Sequence, residues 1–370
     1  MRRFVIAPDS FKGTMSAAEV CNIIANVITK HVPDADIVKI PMSDGGEGMV
    51  DAYLNILGGE KKYKTVTGPN GRLVDCPYAV LPDNTVVMEM AGCAGLPLMQ
   101  GNLDPMHATT FGVGELLKAV HDEGYSRILM GLGGSATNDC GVGMASALGY
   151  VFLDDAGLPL GAYACNIGKI RSIKVPETRL DLTITVACDV NNPLCGPNGA
   201  SAIFGPQKGL EGSDIRALDD SIRNFAKLIK AEIGADVMDY PGAGAAGGLG
   251  AAMIAFCNAI LKPGIEILLD AADIDNLLKE TELVITGEGR IDGQSAAGKV
   301  PVGVGRRAKQ AAVPCIAICG CIGEGADLVL NEGISAYYPT TDGTKSFEEI
   351  ISSCHNDLAL TAEHVLKRLL

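Results

Sequence analysis

The sequence predicts an α/β protein: a doubly wound parallel sheet of about six strands, with a second α/β domain inserted into it. Three observations lead there. One unit recurs along the chain, a short apolar strand, then a glycine-rich or acidic turn, then a helix. The strands are continuously apolar rather than alternating, as strands buried on both faces are. Two stretches, 62–100 and 151–264, break that rhythm with shorter strands and more loops. Strands alternating with helices imply parallel pairing through right-handed crossovers.

In chain order, FVIAP (4–8) leads into DSFKGTM, and the helix after it opens with a capping box, Ser16 and Glu19. Val20, Ile23, Ile24, Val27 and Ile28 give that helix one apolar stripe. IVKIP (37–41) leads into MSDGGEG. Between 62 and 100, TGPNGR and LPDNT read as hairpin turns. ILMG (128–131) leads into LGGSATND, and LTITVACD supplies a strand to the 151–264 stretch. LVITG (283–287), CIAIC (315–319) and AYYP (336–339) precede EGRIDGQ, GCIGEG and TTDG. A terminal helix near 346–369 starts with Ser346 and Glu349, a second capping pattern. The expected domains are 1–61, 101–150 and 265–370 for the doubly wound part, and 62–100 with 151–264 for the inserted part.

Composition narrows the function. The chain has 370 residues, 47% of them hydrophobic, and a formal net charge of −14. An acidic chain is a poor match for nucleic acid, which demands a basic face. Small anions remain suitable ligands where a few cations set the local field. The apolar stretch after Arg2 and Arg3 is too short for the core of a signal peptide, and no run approaches a membrane span. The 12 cysteines are scattered; only Cys315, Cys319 and Cys321 cluster, in an apolar run that reads as buried thiols. A cytoplasmic enzyme is the expectation, with neither a nucleic-acid nor a membrane partner, and with monomer and homodimer both left open.

In open α/β sheets, ligands bind outside the carboxyl ends of the strands. The turns there carry Asp9, Ser10 and Lys12; Ser43, Asp44 and Glu47; Gly131, Gly133, Gly134, Ser135, Thr137 and Asp139; and Gly287, Glu288, Arg290 and Asp292. Carboxylates suit magnesium, cations suit phosphate, and glycines expose backbone N–H groups to oxygens. GLGGSATND (131–139) stands out, since a run of small residues between strand and helix makes a ready anion site. It is not G-x-G-x-x-G, which weakens a dinucleotide reading. Asp189 ends a strand with Asn191 two residues on, and FGPQKG sets Lys208 on a glycine-bounded loop where a solvated lysine is the plainer reading. PGAGAAGGLGAAM (241–253) permits phosphate contact or close helix packing, with packing favoured. Of the five histidines only His107 has polar neighbours that suit a pocket. With no G-x-S-x-G and no H-E-x-x-H, the chemistry rests on carboxylates, lysines and amides, as direct phosphoryl transfer does.

GQSAAGKV (293–300) matches the first seven positions of a phosphate-binding P-loop, but Val300 stands where the magnesium-binding hydroxyl belongs. The strand is expected to end near Gly287, too early for that loop. Pro301 suits the first turn of a following helix. The segment is therefore expected to face phosphate and metal by another geometry, with Lys299 and the acids 288 and 292.

The motifs APDSFKGTMSA, SDGGEG, GLGGSATND, ACDVNNPLCGPNGAS, FGPQKG, PGAGAAGG and TGEGRIDGQSAAGKVPVGV resemble, in that order, the bacterial type I glycerate kinases, over essentially the whole chain. The resemblance implies a Rossmann-like domain, a second α/β domain with the active site in the cleft between them, and transfer of phosphate from ATP to D-glycerate with Mg2+, giving 2-phosphoglycerate. On that footing residues 131–139, Gly287 and Lys299 are assigned to ATP. Asp189 is assigned as base, Lys12, Lys208 and Arg290 as charge-balancing groups, and Asp9, Ser10, Asp44 and Asn191 as substrate contacts. Asp44, Glu288 and Asp292 are the magnesium candidates. Attack from the 3-hydroxyl, another small hydroxy acid, or a regulator that binds a metabolite without turnover are the alternatives.

Overall fold

The computed structural model describes residues 2–42, 48–297 and 299–369. It divides into two compact units, one of residues 1–44, 55–57 and 265–370 and the other of residues 45–54 and 58–264.

The first unit holds a five-stranded sheet, wholly parallel, in the order Ala336–Pro339, Cys315–Ile322, Thr281–Ile291, Arg3–Pro8, Asp36–Lys39. One face is covered by the helices Ala17–His31 and Phe347–Leu369. Val20, Ile24 and Ile28 from the first and Leu358, Ala362 and Leu366 from the second pack on Phe4, Ile6, Ile285 and Ile318. Fully burying such side chains stabilises by about 1.5–3 kcal/mol each. The helix Val300–Gln310 contacts Arg3–Pro8, Thr281–Ile291 and Cys315–Ile322, so the sheet is wound on both sides. The expected capping boxes are both formed: Ser16 Oγ accepts from Glu19 N while Glu19 accepts from Ser16 N, and Ser346 and Glu349 do the same. The direction of strand order reverses between Arg3–Pro8 and Thr281–Ile291, the switch point where open sheets bind ligands.

The second unit holds a six-stranded mixed sheet in the order Ile260–Lys262, Thr183–Ala187, Arg127–Gly131, Thr85–Glu89, Leu73–Val80, Glu60–Thr67. The first four are parallel to one another and the last two are joined antiparallel, through the hairpins expected from TGPNGR and LPDNT. Its core runs through Val86, Met88, Met130, Val186, Leu116, Met144, Phe225 and Phe256.

Two expectations change. The segment 101–150 lies in the second unit, because Arg127–Gly131 is flanked on both sides there, by Thr85–Glu89 and Thr183–Ala187. The Arg3–Pro8 sheet has five strands accordingly. Nor does the strand at LVITG stop near Gly287; it continues to Ile291, paired as far as Ile322. Gly287 permits this, since a Cβ there would lie 2.0 Å from the Ile318 carbonyl oxygen.

Candidate active site

In the five-stranded unit a cavity of about 300 Å³ lies at the carboxyl ends of four parallel strands. Its polar wall is formed by Asp9, Ser10, Lys12, Glu288, Arg290 and Lys299. Phe11, Met15, Phe347 and Ile350 form an apolar wall. Asp9 is fixed by its own backbone, its N–H donating to Gly287 O (2.8 Å), and its carboxylate accepts from Ser10 N (2.6 Å). Asp9 and Glu288 therefore stand on either side of the switch point.

Glu288 is buried and does not stand alone. One oxygen accepts from Ser295 Oγ (2.5 Å) and the other pairs with Lys299 Nζ (3.2 Å). Burial pushes its carboxyl above the usual range, against the pull of Ser295 and Lys299. Asp292 accepts from Gln294 N (2.9 Å) and lies 3.3 Å from Arg290, whose side chain is largely exposed. Lys299 is the N-cap residue of Val300–Gln310 and Pro301 sits in that helix's first turn, as expected. Ser295, fully buried beneath Glu288 and also donating to the Arg290 carbonyl (3.4 Å), was not singled out by the sequence. A small polar residue three positions after Asp292 and four before Lys299 is its only signal.

The six-stranded unit presents its own strand-end cluster. The loop 131–139 leaves Arg127–Gly131, and Asp189 follows the neighbouring strand Thr183–Ala187. Gly133 and Gly134 are at least partly accessible, whereas Ser135, Thr137, Asn138 and Asp139 are buried. The loop is held from outside, with Leu96 N donating to Gly134 O (2.9 Å) and Ala136 N to Ala94 O (2.9 Å).

Lys208 reaches this loop. Expected on a solvated loop, it is only 1% exposed. The short turn Pro206–Lys208 directs it inward, and Nζ donates to Ser135 Oγ and to Thr137 O, both at 2.6 Å. Burial lowers its ammonium to about 7, with Asp139 opposing. Asp139 was expected to touch ATP, but its oxygens are taken by the protein. They accept from Thr110 N (2.9 Å), Thr110 Oγ1 (2.8 Å), Gly141 N (3.1 Å) and Gly143 N (3.2 Å). Burial nonetheless pushes its carboxyl up. Its role is to fix the loop. Thr137 Oγ1 and Asn138 Oδ1 are buried with no hydrogen-bond partner, while Asn138 Nδ2 donates to Ser201 Oγ (2.8 Å).

The glycine-rich stretch 241–253 packs, as favoured. Ala246, Gly247 and Gly248 are all left-handed, and Gly247 O receives Cys140 N (3.0 Å). A Cβ on Gly247 would stand 2.0 Å from Thr137 O.

Asp189 and Asn191 are exposed, and one Asp189 oxygen accepts from Gly264 N (2.8 Å). Ser43, Asp44 and Glu47 lie outside the described residues. His107 is on the surface, paired with Asp104 at 2.9 Å. All 12 cysteines are free thiols, and Cys315 and Cys319 are buried. Glu89 was missed by the sequence. It ends Thr85–Glu89 beside Gly131 and accepts from Gly48 N (3.2 Å) and Val50 N (2.8 Å), capping the helix Met49–Leu57. Of the four motifs expected on one sheet edge, those at 9–12 and 287–299 belong to one sheet and that at 131–139 to the other, while 43–47 lies outside the described residues.

Among the described residues, no group of three His, Cys, Asp or Glu side chains is placed to hold a metal ion, and no helix is long and apolar enough to cross a membrane.

Comparison with known proteins agrees with this architecture. The chain is 42% identical to a glycerate kinase of Halalkalibacterium halodurans, over 99% of this chain and 97% of that one. It is 40% identical to the glycerate 2-kinase of Escherichia coli K12, over 99% and 98%. A crystal structure from Salmonella typhimurium LT2, provisionally named glycerate kinase 2, superposes with a TM-score of 0.87 at 40% identity, covering 100% of this chain and 98% of that one. The model of the glycerate kinase family matches residues 4–370, and the chain belongs to that family.

Proposed function

We propose that this protein transfers the γ-phosphoryl group of ATP to the 2-hydroxyl of D-glycerate, releasing ADP and 2-phosphoglycerate. The observation that carries the reading is the strand-end cavity in a chain of this family, with Lys12, Arg290 and Lys299 set among Asp9 and Glu288. A cavity of about 300 Å³ suits a three-carbon acid or a few phosphate groups rather than a polymer. Phosphoryl transfer needs cations held in place where charge gathers and little covalent chemistry from the protein.

Loop 131–139 offers backbone N–H groups and Lys208 to phosphate oxygens. Lys12, Arg290 and Lys299 balance the remaining negative charge, and Ser10 with Asn191 orients the acid. Asp189 accepts the proton of the attacking hydroxyl as the new P–O bond forms and the bond to ADP breaks. Its bond from Gly264 N holds one of its oxygens in place.

Magnesium would neutralise phosphate oxygens during the transfer. The acids present fit an ion that arrives on the nucleotide, because magnesium is commonly held by one or two carboxylates with phosphates and water. Glu288, held by Ser295 and Lys299, and Asp292, held by Gln294 N and Arg290, are the described magnesium candidates that would hold it.

The test couples product directly to enolase. Purified protein, Mg-ATP and D-glycerate should give immediate signal without a mutase. Signal that waits for phosphoglycerate mutase would move the reaction to the 3-hydroxyl, and no ADP from any small hydroxy acid would overturn the kinase reading.

A further inference from the structure

Lys208 presents a physical difficulty. A buried ammonium is ordinarily held by a carboxylate, because leaving a charge unpaired away from water is costly. Lys208 is 1% exposed, and the two atoms receiving its protons, Ser135 Oγ and Thr137 O, are neutral. Among the described residues it forms no ion pair. Asp139 is the charged group that acts on it, and all four hydrogen bonds assigned to that carboxylate go elsewhere, to Thr110, Gly141 and Gly143. The other polar groups at this place, Asn138, Thr137 Oγ1 and Ser201, carry no charge, and Thr137 Oγ1 and Asn138 Oδ1 are unpartnered. The cluster has a buried cation position whose nearby carboxylate, Asp139, is hydrogen-bonded elsewhere, and it has hydrogen-bonding capacity unused.

We propose that binding of an anionic oxygen group, phosphate or carboxylate, at the 131–139 loop is linked to uptake of one proton from solvent by the Lys208 amine. Without ligand, the amine sits between two neutral oxygens. An arriving anion supplies a counter-charge, the amine takes a proton from the buffer, and the ammonium so formed pairs with the ligand. The direction of the Lys208 shift agrees: burial brings it to about 7, so near neutrality it is poised between its two forms. This deepens the kinase reading and rests on it for the identity of the ligand. It adds that one substrate enters together with a proton.

Isothermal calorimetry tests it without turnover. MgADP, D-glycerate and inorganic phosphate are titrated separately into the protein, in buffers of different ionisation enthalpy, from pH 6 to pH 8. Binding of the ligand seated at Lys208 should take up a proton, and a larger fraction of one at pH 8 than at pH 6, as a group of about 7 implies. Uptake with MgADP or phosphate assigns the site to phosphate oxygens, and uptake with D-glycerate alone assigns it to the carboxylate. Lys208→Arg, charged at every pH, should bind without uptake, and Lys208→Met should also take up none. Equal heats in all buffers would overturn the inference, as would uptake that persists in Lys208→Arg. Binding without proton uptake defeats only this inference. A wild-type protein that binds neither nucleotide nor glycerate defeats the kinase reading and this inference with it.

Discussion

The two strand-end clusters solve the same electrostatic problem in opposite ways. On the five-stranded sheet, buried Glu288 is met by the partly exposed Lys299 and bridged by Ser295, so its charge is balanced within the protein. On the six-stranded sheet, Lys208 is more deeply buried and its nearest partners are neutral, so the balance is left incomplete. A paired charge gives a site its shape. An unpaired one gives it affinity, because a ligand can supply what the protein withholds. Asp139, expected to bind ATP directly, braces the loop through its bonds to Thr110, Gly141 and Gly143, and Lys208, assigned to charge balance but read from its loop as solvated, is buried against that loop.

The comparison can be broken where the effect should be largest. Lys208→Met should lower kcat/KM by roughly 10²–10³-fold, the loss typical of removing one preorganised donor to developing charge. An effect no greater than that of Lys299→Ala would mean that the two lysines do not differ as argued. Asp189→Asn should lower kcat by about 10²-fold with little change in KM, the signature of a lost base. Steady-state kinetics with an unchanged kcat would remove it from that role. Lys299→Ala should raise the KM for ATP by about tenfold and cost on the order of 1 kcal/mol of stability, since Lys299 is a third exposed and its pair with Glu288 is partly screened. Urea denaturation of the variant measures the second part.

The pH dependence of stability should run oppositely in the two clusters. Lys208 is lowered on folding, so the unfolded chain binds more protons between about 7 and the ordinary lysine value of 10.5. Its contribution is complete above that window and is lost as pH falls through about 7. Glu288 is raised on folding, so its contribution is complete below the ordinary value of 4.5 and is lost as pH rises through its folded value. Urea midpoints of Lys208→Met should therefore lack wild-type gain between pH 7 and pH 10. Those of Glu288→Gln should lack the wild-type loss above pH 4.5. Parallel curves for wild type and either variant would remove that residue from the account.

Much of this was legible in the sequence, because continuous apolar runs bounded by glycine and acid identify buried strands regardless of context. FVIAP, LVITG, CIAIC and AYYP fall on observed strands, and the capping boxes at Ser16 and Ser346 are local signals that local geometry satisfies. Which sheet a strand joins is a different question. ILMG is equally apolar in either sheet, and only its pairing with Thr85–Glu89 and Thr183–Ala187 decides. Lys208 was recognised as a candidate but misjudged in its surroundings, since burial of a lysine on a glycine-bounded turn depends on a loop some seventy residues away. Ser295 and Glu89 act through backbone and buried contacts that composition does not reveal.

One feature of the six-stranded unit reaches into how such a protein can change over generations. Thr137 O receives a proton of Lys208, and the same oxygen is what a side chain at Gly247 would strike. The stretches 137–140 and 246–248 are therefore not independent positions for drift or for engineering. A substitution at 247 that forces the carbonyl back also loosens the lysine, while a change at 137 alone meets the unyielding left-handed turn. A lineage moving this site toward a bulkier anion has to alter both stretches together, and an engineer wishing to enlarge it has to begin with the backbone at 246–248 before touching any charged residue.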